Sequence, residues 1–396
     1  MNNSYSKIVL KSGKDQSLKR FHPWVFSGAI KKSYGPLNEG DIVSVYSNSD
    51  EFLGLGHYQI GSIAVRVFSF TDTEINGDFW KDKLIKAFNL RKTLGLIGNS
   101  ETNAYRLVHA EGDGMPGLII DFYNGTAVMQ THSIGMYLIR EELAGYLKEM
   151  MGDLLVAVYD KSEKTLPFKA DITPKDGFII GNTIPGVVSE YGNLFKVDWE
   201  EGQKTGFFID QRENRLLLQQ YAKGRDVLNM FCYTGGFSFF AMKGGANSVH
   251  SVDASGRAID LTRENVELNF PNDPRHEAIV ADAFDYLKDI HQKYDLIVLD
   301  PPAFAKHRDA LGRALQGYKR INARAFEQIR PGGILFTFSC SQVVSKEKFR
   351  EAVFSGAAIA GRTVRIIHQM NQPADHPINI YHPEGEYLKG LVLYVE

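Results

Sequence analysis

Cysteine is scarce in this chain. Cys232 and Cys340 are the only two. They are too few for a disulfide framework, and neither has the Cys or His companions of a zinc site, so no metal is expected. No apolar stretch reaches the ~18 residues of a membrane span. The opening residues, Met1 to Lys7, lack the apolar core of a signal peptide. A cytoplasmic protein with no membrane partner is expected. Net charge is also small: 45 Lys+Arg against 47 Asp+Glu leave −2. That excludes a surface coated in positive charge but not a local basic patch. Repeats and low-complexity tracts are missing. What remains is 43% hydrophobic and 12% aromatic over 396 residues, the composition of a packed protein of two or three domains.

Residues 1–75 read as β. "DIVSVYS" (41–47), "FLGLGHY" (52–58) and "SIAVRVFSF" (62–70) are short strands separated by glycines. Such spacing suggests a small barrel. With "HPWVFSGAI" (22–30) the segment resembles a PUA domain, an RNA-binding module. Residues 76–185 mix both types. They hold helical windows at 79–96 and 137–151, a hairpin around Asn124-Gly125 and a strand at 154–160. They are expected to form a linking α/β domain without a catalytic constellation. From 186 a hairpin-like stretch leads into alternating strands and helices up to residue 396. The strands lie at 226–231, 248–253, 277–282, 294–300, 333–340, 363–370 and 388–395. The alternation predicts an α/β fold with a doubly wound, mostly parallel sheet. The last two strands have no helical pattern between them, so the sheet is expected to be mixed, with an antiparallel edge strand.

In such sheets ligands bind beyond the carboxyl ends of the strands. The first strand runs into "CYTGGFS" (232–238), where Gly235 and Gly236 allow a sharp turn and close backbone approach. The second ends in Asp253, placed to accept hydrogen bonds from ribose hydroxyls. The third ends in Asp282-Ala283, suited to an adenine amino group. Each acid alone could be a helix N-cap; the series at three consecutive strand ends carries more weight. The fourth strand ends in "DPPAFAK" (300–306). There Pro301 and Pro302 stiffen the turn and remove two N–H donors. Asp300 and Phe304 could flank a planar base.

These residues resemble class I S-adenosylmethionine-dependent methyltransferases: "NMFCYTGGFS" (229–238), "SVDAS" (251–255) and "VLDPPAF" (298–304). "QKTGFFIDQRENR" (203–215) and "SCSQ" (339–342) are similar to the pattern of the PUA-containing large-subunit (23S) rRNA methyltransferases that modify cytosine at carbon 5. The resemblance implies a Rossmann-like methyltransferase domain and S-adenosyl-L-methionine as cofactor. It implies 23S rRNA or a large-subunit precursor as partner. It carries cofactor contacts onto Thr205, Phe207, Asp210, Phe231, Tyr233, Thr234, Gly235, Asp253, Ser255, Asp282, Ala283 and Asp300, with Phe207 or Phe208 as part of a lid. A related enzyme with an Asp-Pro-Pro motif methylates a guanine nitrogen, so the target atom stays open, as does a homodimer.

Cytosine carbon 5 is a poor nucleophile until a thiolate adds at carbon 6, which makes a cysteine on the cofactor rim necessary. Cys340, between Ser339 and Ser341, is the candidate nucleophile. Cys232 reads as a core or loop residue. Lys306 or the sulfonium charge is the candidate aid to ionisation, and Asp300, or a water, assists proton transfer. Pro301, Pro302, Phe304 and Lys306 are candidate base contacts. Arg313, Arg320 and Arg324 fall on the polar side of a helical window opposite Leu311, Leu315, Tyr318, Ala325, Phe326 and Ile329. With Lys19 and Arg20 of the N-terminal segment they are candidate phosphate contacts. The rival readings are a nitrogen-directed methyltransferase, which needs no cysteine, and a non-catalytic RNA-binding assembly factor. A nicotinamide dehydrogenase is disfavoured by the missing G-x-G-x-x-G.

Overall fold

The computed structural model describes residues 5–167, 172–182, 186–305 and 307–396. They form two compact units. The first comprises the described residues of Met1–Val188 together with Val197–Phe207 and Ala374–Gly385; the second comprises Ser189–Lys196, Phe208–Pro373 and Glu386–Glu396.

The first unit holds two sheets. Strands β1 (Ser6–Leu10), β2 (Trp24–Phe26), β3 (Ile30–Tyr34), β4 (Ile42–Tyr46), β5 (Phe52–Tyr58) and β6 (Ile63–Ser69) line up as β2-β6-β5-β4-β1-β3. They wrap one core of Ile8, Leu10, Val25, Val43, Val45, Val65 and Val67. Among the described residues no ladder joins β2 to β3, so the expected barrel is open along that seam. The second sheet orders β7 (Ala104–His109), β8 (Leu118–Tyr123), β9 (Thr126–Thr131), β10 (Ala157–Asp160) and β11 (Gly177–Ile180) as β11-β10-β9-β8-β7. Asn124 (φ 43) and Gly125 (φ 101) make the expected tight β8–β9 turn. The helices Gly77–Thr93 and Arg140–Met151 cover this sheet through Trp80, Leu84, Leu143 and Leu147.

This unit also buries charge that its sequence does not advertise. Arg91 pairs with Asp113 at 2.6 Å and Arg106 with Asp121 at 2.8 Å. Asp375 accepts from the Arg106 backbone N–H, and its carbonyl accepts from Arg91, which ties Ala374–Gly385 to the same unit. Elsewhere in the unit His22, His382 and Glu384 bring donor atoms within 4.8 Å of one another. The Trp24 N–H donates to His22 Nδ1, leaving the ring proton on Nε2, which faces Glu384 at 3.3 Å. The contact is a hydrogen bond between the two side chains.

A hairpin of β12 (Val187–Glu190) and β13 (Asn193–Lys196) leads into the second unit. There β14 (Asp226–Met230), β15 (Ser248–Asp253), β16 (His276–Val280), β17 (Leu296–Leu299), β18 (Gly333–Ser339), β19 (Val364–Met370) and β20 (Lys389–Val395) order as β16-β15-β14-β17-β18-β20-β19. β14 to β18 run parallel to one another, and β20 runs antiparallel to both β18 and β19. The sheet is mixed as expected, but the antiparallel strand is not the edge. Burial explains the swap. β20 is buried along nearly its whole length and takes the interior place, whereas β19 is largely exposed and forms the edge. Strand order turns outward on both sides of β14, so the crevice opens between β14 and β17.

Candidate active site

The loop after β14 is bent by strained residues. Phe231 (φ 59) and Tyr233 (φ 48) adopt left-handed backbone without being glycine, and Gly235 follows at φ 85. A Cβ on Gly235 would lie 2.8 Å from both Phe239 and Thr262, so only glycine fits that turn. The loop is pinned from outside. Asp253 at the end of β15 accepts from the Tyr233 N–H at 3.0 Å and from the Ser255 N–H at 2.9 Å. Thr262 donates to the Tyr233 carbonyl, and Asn265 to the Thr234 carbonyl. Ser255 caps the helix Gly256–Asn269. Beneath the loop a largely buried polar chain runs from Asn229 of β14 through Ser238 of the helix Gly236–Lys243 to Ser251 of β15 and His276 of β16. Asp282 uses Oδ1 to cap the turn Ala283–Tyr286 through the N–H groups of Phe284 and Asp285. Its structural role is therefore met by one oxygen, and the neighbouring Ala283 is buried.

Asp210 is buried and accepts from the Tyr387 hydroxyl at 2.7 Å. Phe208 meets Tyr233 edge-on at 5.1 Å. Thr205 and Phe207 belong to the first unit, where Thr205 donates to Asp121 and Phe207 is buried. Of the two aromatics considered for a lid, Phe208 is thus the one seen against the β14 loop.

The ends of β17 and β18 bring the chemistry together. The strands pair in parallel through Leu299↔Thr337, so Asp300 and Cys340 leave the same edge of the sheet. The Cys340 sulfur is half-buried and lies 4.0 Å from the Pro301 carbonyl oxygen. Asp300 Oδ2 accepts from the Gln211 amide at 2.9 Å. Ser339 donates to the Tyr318 hydroxyl, and Ser341 to the Ala305 carbonyl, so both flanking serines are spent on holding the loop. Burial raises the Tyr318 hydroxyl to about 12, keeping it neutral. Cys232 is different: burial pushes its thiol far up, as expected of an inert core cysteine.

Pro301 is buried and Pro302 exposed. Phe304 is half-buried, 4.6 Å from the Tyr318 ring and close over Gly317, so one face is already packed. Lys306 lies outside the described residues. Arg313, Arg320 and Arg324 lie exposed along the helix Leu311–Gln328, with Tyr318, Ala325 and Phe326 buried on the other side. Arg324 is paired with Glu327 at 2.7 Å, and Arg320 sits over the Phe284 ring. In the first unit Lys19 is bound to Asp15 and Glu51, so its charge is largely compensated, whereas Arg20 is exposed at a helix C-terminus.

Three features escaped the sequence reading: the Gln211 bond to Asp300, the buried Glu190–Arg215 pair at 2.7 Å, and Lys389. Each joins residues distant in sequence, and no local pattern marks them.

The family model for S-adenosylmethionine-dependent methyltransferases matches residues 181–380, and that for PUA-like domains matches residues 8–70. The chain belongs to the S-adenosylmethionine-dependent methyltransferases. It falls in the family of the proteins named ribosomal RNA large subunit methyltransferase I. Those of Alteromonas mediterranea and Tolumonas auensis are each 40% identical to it, over 98% of this chain and 99% and 98% of theirs. A methyltransferase structure from Streptococcus mutans superposes with a TM-score of 0.84 at 25% identity, over 98% of this chain and 100% of that one. A second solved methyltransferase, complexed with S-adenosylhomocysteine, gives 0.85 at 25% identity and the same coverage. The cofactor is therefore S-adenosylmethionine. The tight Gly235 turn and the carboxylates ending β15 and β16 fit a ligand with a ribose and an adenine.

Proposed function

We propose that this methyltransferase forms 5-methylcytidine in large-subunit (23S) ribosomal RNA through a covalent adduct with Cys340. The observation that carries this reading is the half-buried Cys340 sulfur, 4.0 Å from the Pro301 carbonyl at the mouth of the crevice. A methyltransferase acting on a nitrogen lone pair has no use for a thiol there. The relatives' name supports the large-subunit RNA, and the PUA-like domain supports RNA binding.

S-adenosylmethionine, when bound, supplies an electrophilic methyl group. In the scheme the Cys340 thiolate forms a bond to cytosine carbon 6, and the electron pair displaced from the 5,6 double bond makes carbon 5 nucleophilic. After methylation a base takes the carbon-5 proton. The C–H electrons then re-form the double bond, and the sulfur leaves as thiolate. Asp300 borders the Pro301–Pro302 turn and is held by Gln211, which suits it to orient the base and to pass the proton directly or through water. The first unit supplies further basic surface: Lys31 and Lys32 of β3 lie with Tyr34, whose ring stacks under the Lys32 ammonium at 4.5 Å. Such a surface would hold an RNA backbone with little sequence preference.

The test is nucleotide-resolution mapping of methylated cytidine in 23S RNA from cells lacking the protein, with a trap assay on 5-fluorocytidine RNA. Wild-type protein should form an SDS-stable adduct, and Cys340→Ala should not. Full methyl transfer by Cys340→Ala, or loss of a methylguanosine instead, would transfer the assignment to a nitrogen target.

A further inference from the structure

A cysteine at the exit of a strand needs help to ionise, since a free thiol titrates near ~8.5. Two neighbouring groups oppose it here. The sulfur faces the oxygen of the Pro301 carbonyl, and Tyr318 feels the charges of both Cys340 and Asp300, which places the carboxylate in the same neighbourhood. A cation beside the sulfur favours its ionised form. We propose that Lys389, which no local sequence pattern marks, is the positioning residue whose buried ammonium group keeps Cys340 as a thiolate. This rests on the covalent reading above.

The case is geometric. Lys389 opens β20 directly opposite Ser339, the last residue of β18. Its Nζ donates to the Ser341 carbonyl at 2.6 Å. Cys340 is thus straddled: the residue before it pairs with the Lys389 backbone, and the residue after it is held by the Lys389 side chain. A lysine only 5% exposed is costly unless its charge has a task. Burial brings its amine down to about 8, and the Cys340 charge is the first influence opposing that fall. The coupling is reciprocal: a thiolate that favours the ammonium is favoured by it to the same degree. With a value near 8 the amine is still mostly protonated at neutral pH. The other charges felt by Lys389 are Glu386 and Lys346, which pair with each other and largely cancel. Cys340 is the remaining partner.

Peptide-resolved iodoacetamide alkylation of the full-length protein, from about pH 5 to 10, separates Cys340 from Cys232 and reads thiolate directly. Lys389→Met should move the Cys340 half-reaction point up by about one pH unit or more and slow alkylation at neutral pH about tenfold. Lys389→Arg keeps the charge and should stay near wild type. A Lys389→Met curve that overlays wild type overturns the proposal. Since the methionine variant also removes the tie to Ser341 and could fail to fold, a reciprocal measurement uses Cys340→Ser. The NMR titration of carbon-labelled Lys389 should fall below its wild-type midpoint, and an unchanged midpoint overturns the proposal equally. Failure of the covalent reading is seen separately, as methyl transfer by Cys340→Ser, whatever the thiol titration shows.

Discussion

The Gln211 side-chain amide donates a 2.9 Å hydrogen bond to Asp300 Oδ2, while its own carbonyl accepts from Asn214. Gln211 is buried and begins the helix that carries Arg212, Asn214 and Arg215. The carboxylate at the Pro301–Pro302 turn is therefore aimed by a side chain 89 residues earlier in the chain. Replacing Gln211 by Leu removes the donor and leaves Asn214 without its acceptor. The expected result is a fall in kcat of about tenfold, in line with a lost hydrogen bond to a charged group. Affinity for S-adenosylmethionine should change little. Steady-state kinetics beside calorimetric cofactor titration checks the split; equal losses in both would mean that Gln211 supports the cofactor loop instead.

Glu190 and Arg215 form a two-pronged pair, both bonds 2.7 Å, with each side chain almost fully buried. The pair fastens the end of β12 to the helix Arg212–Tyr221, and Arg215 also donates to the Phe208 carbonyl. Glu190→Ala strands a buried guanidinium and should cost about 3–5 kcal/mol. The double variant Glu190→Leu/Arg215→Met should recover part of that loss, because no lone charge remains. Urea unfolding of the variants decides it, and an unchanged midpoint for Glu190→Ala would show that the site is hydrated.

Much of the catalytic unit was legible in the sequence, because each strand is bounded by residues that cannot continue it. Gly235, Asp253, Asp282 and Asp300 stand where strands end, and the structure has them there. Pairing over long distances was not legible. Nothing in "LKGLVLYV" says whether it is an edge or an interior strand; that follows only when its apolar residues outcompete those of β19 for burial between two neighbours. Lys389 shares this blindness. It reads as a polar opening to an apolar run until β20 lies beside β18, and only then is its backbone seen opposite Ser339 and its ammonium on the Ser341 carbonyl. Phe304 is the converse case: an aromatic beside Asp-Pro-Pro invites a stacking role from sequence alone, and only the fold shows that one side of it packs on Tyr318.

Three histidines, His57 buried and His132 and His276 half-buried, are held neutral by desolvation, which sets an acid limit on the fold. Burial brings His57 down to about 3, and both His132 and His276 to about 4. Their folded values lie below the unfolded value near 6.5, so the unfolded chain binds more protons as pH falls. Stability is therefore full above about 6.5 and declines toward about 4, at up to about 1.4 kcal/mol per pH unit for each group. Thermal unfolding at closely spaced pH values should show this decline, and His276→Asn should flatten part of it in the second unit. A wild-type melting temperature constant from pH 7 to about 4 would contradict desolvated neutral rings.

Arg313, Arg320 and Arg324 share the exposed side of one helix but not one environment. Arg324 is occupied by Glu327, and Arg320 rests over Phe284. If the three meet an RNA backbone, each free guanidinium should contribute about 0.7–0.9 to the slope of log K against log salt. Arg313→Gln should lower that slope by nearly a full contribution. Arg324→Gln should lower it less, since binding must first break the pair with Glu327, and Glu327→Gln should raise affinity by freeing the arginine. Fluorescence anisotropy with a labelled RNA fragment over a salt series reads all three slopes. Identical slopes for wild type and the triple glutamine variant would remove this helix from the RNA-binding surface and shift the electrostatic footprint to Lys31, Lys32 and Arg20 of the first unit.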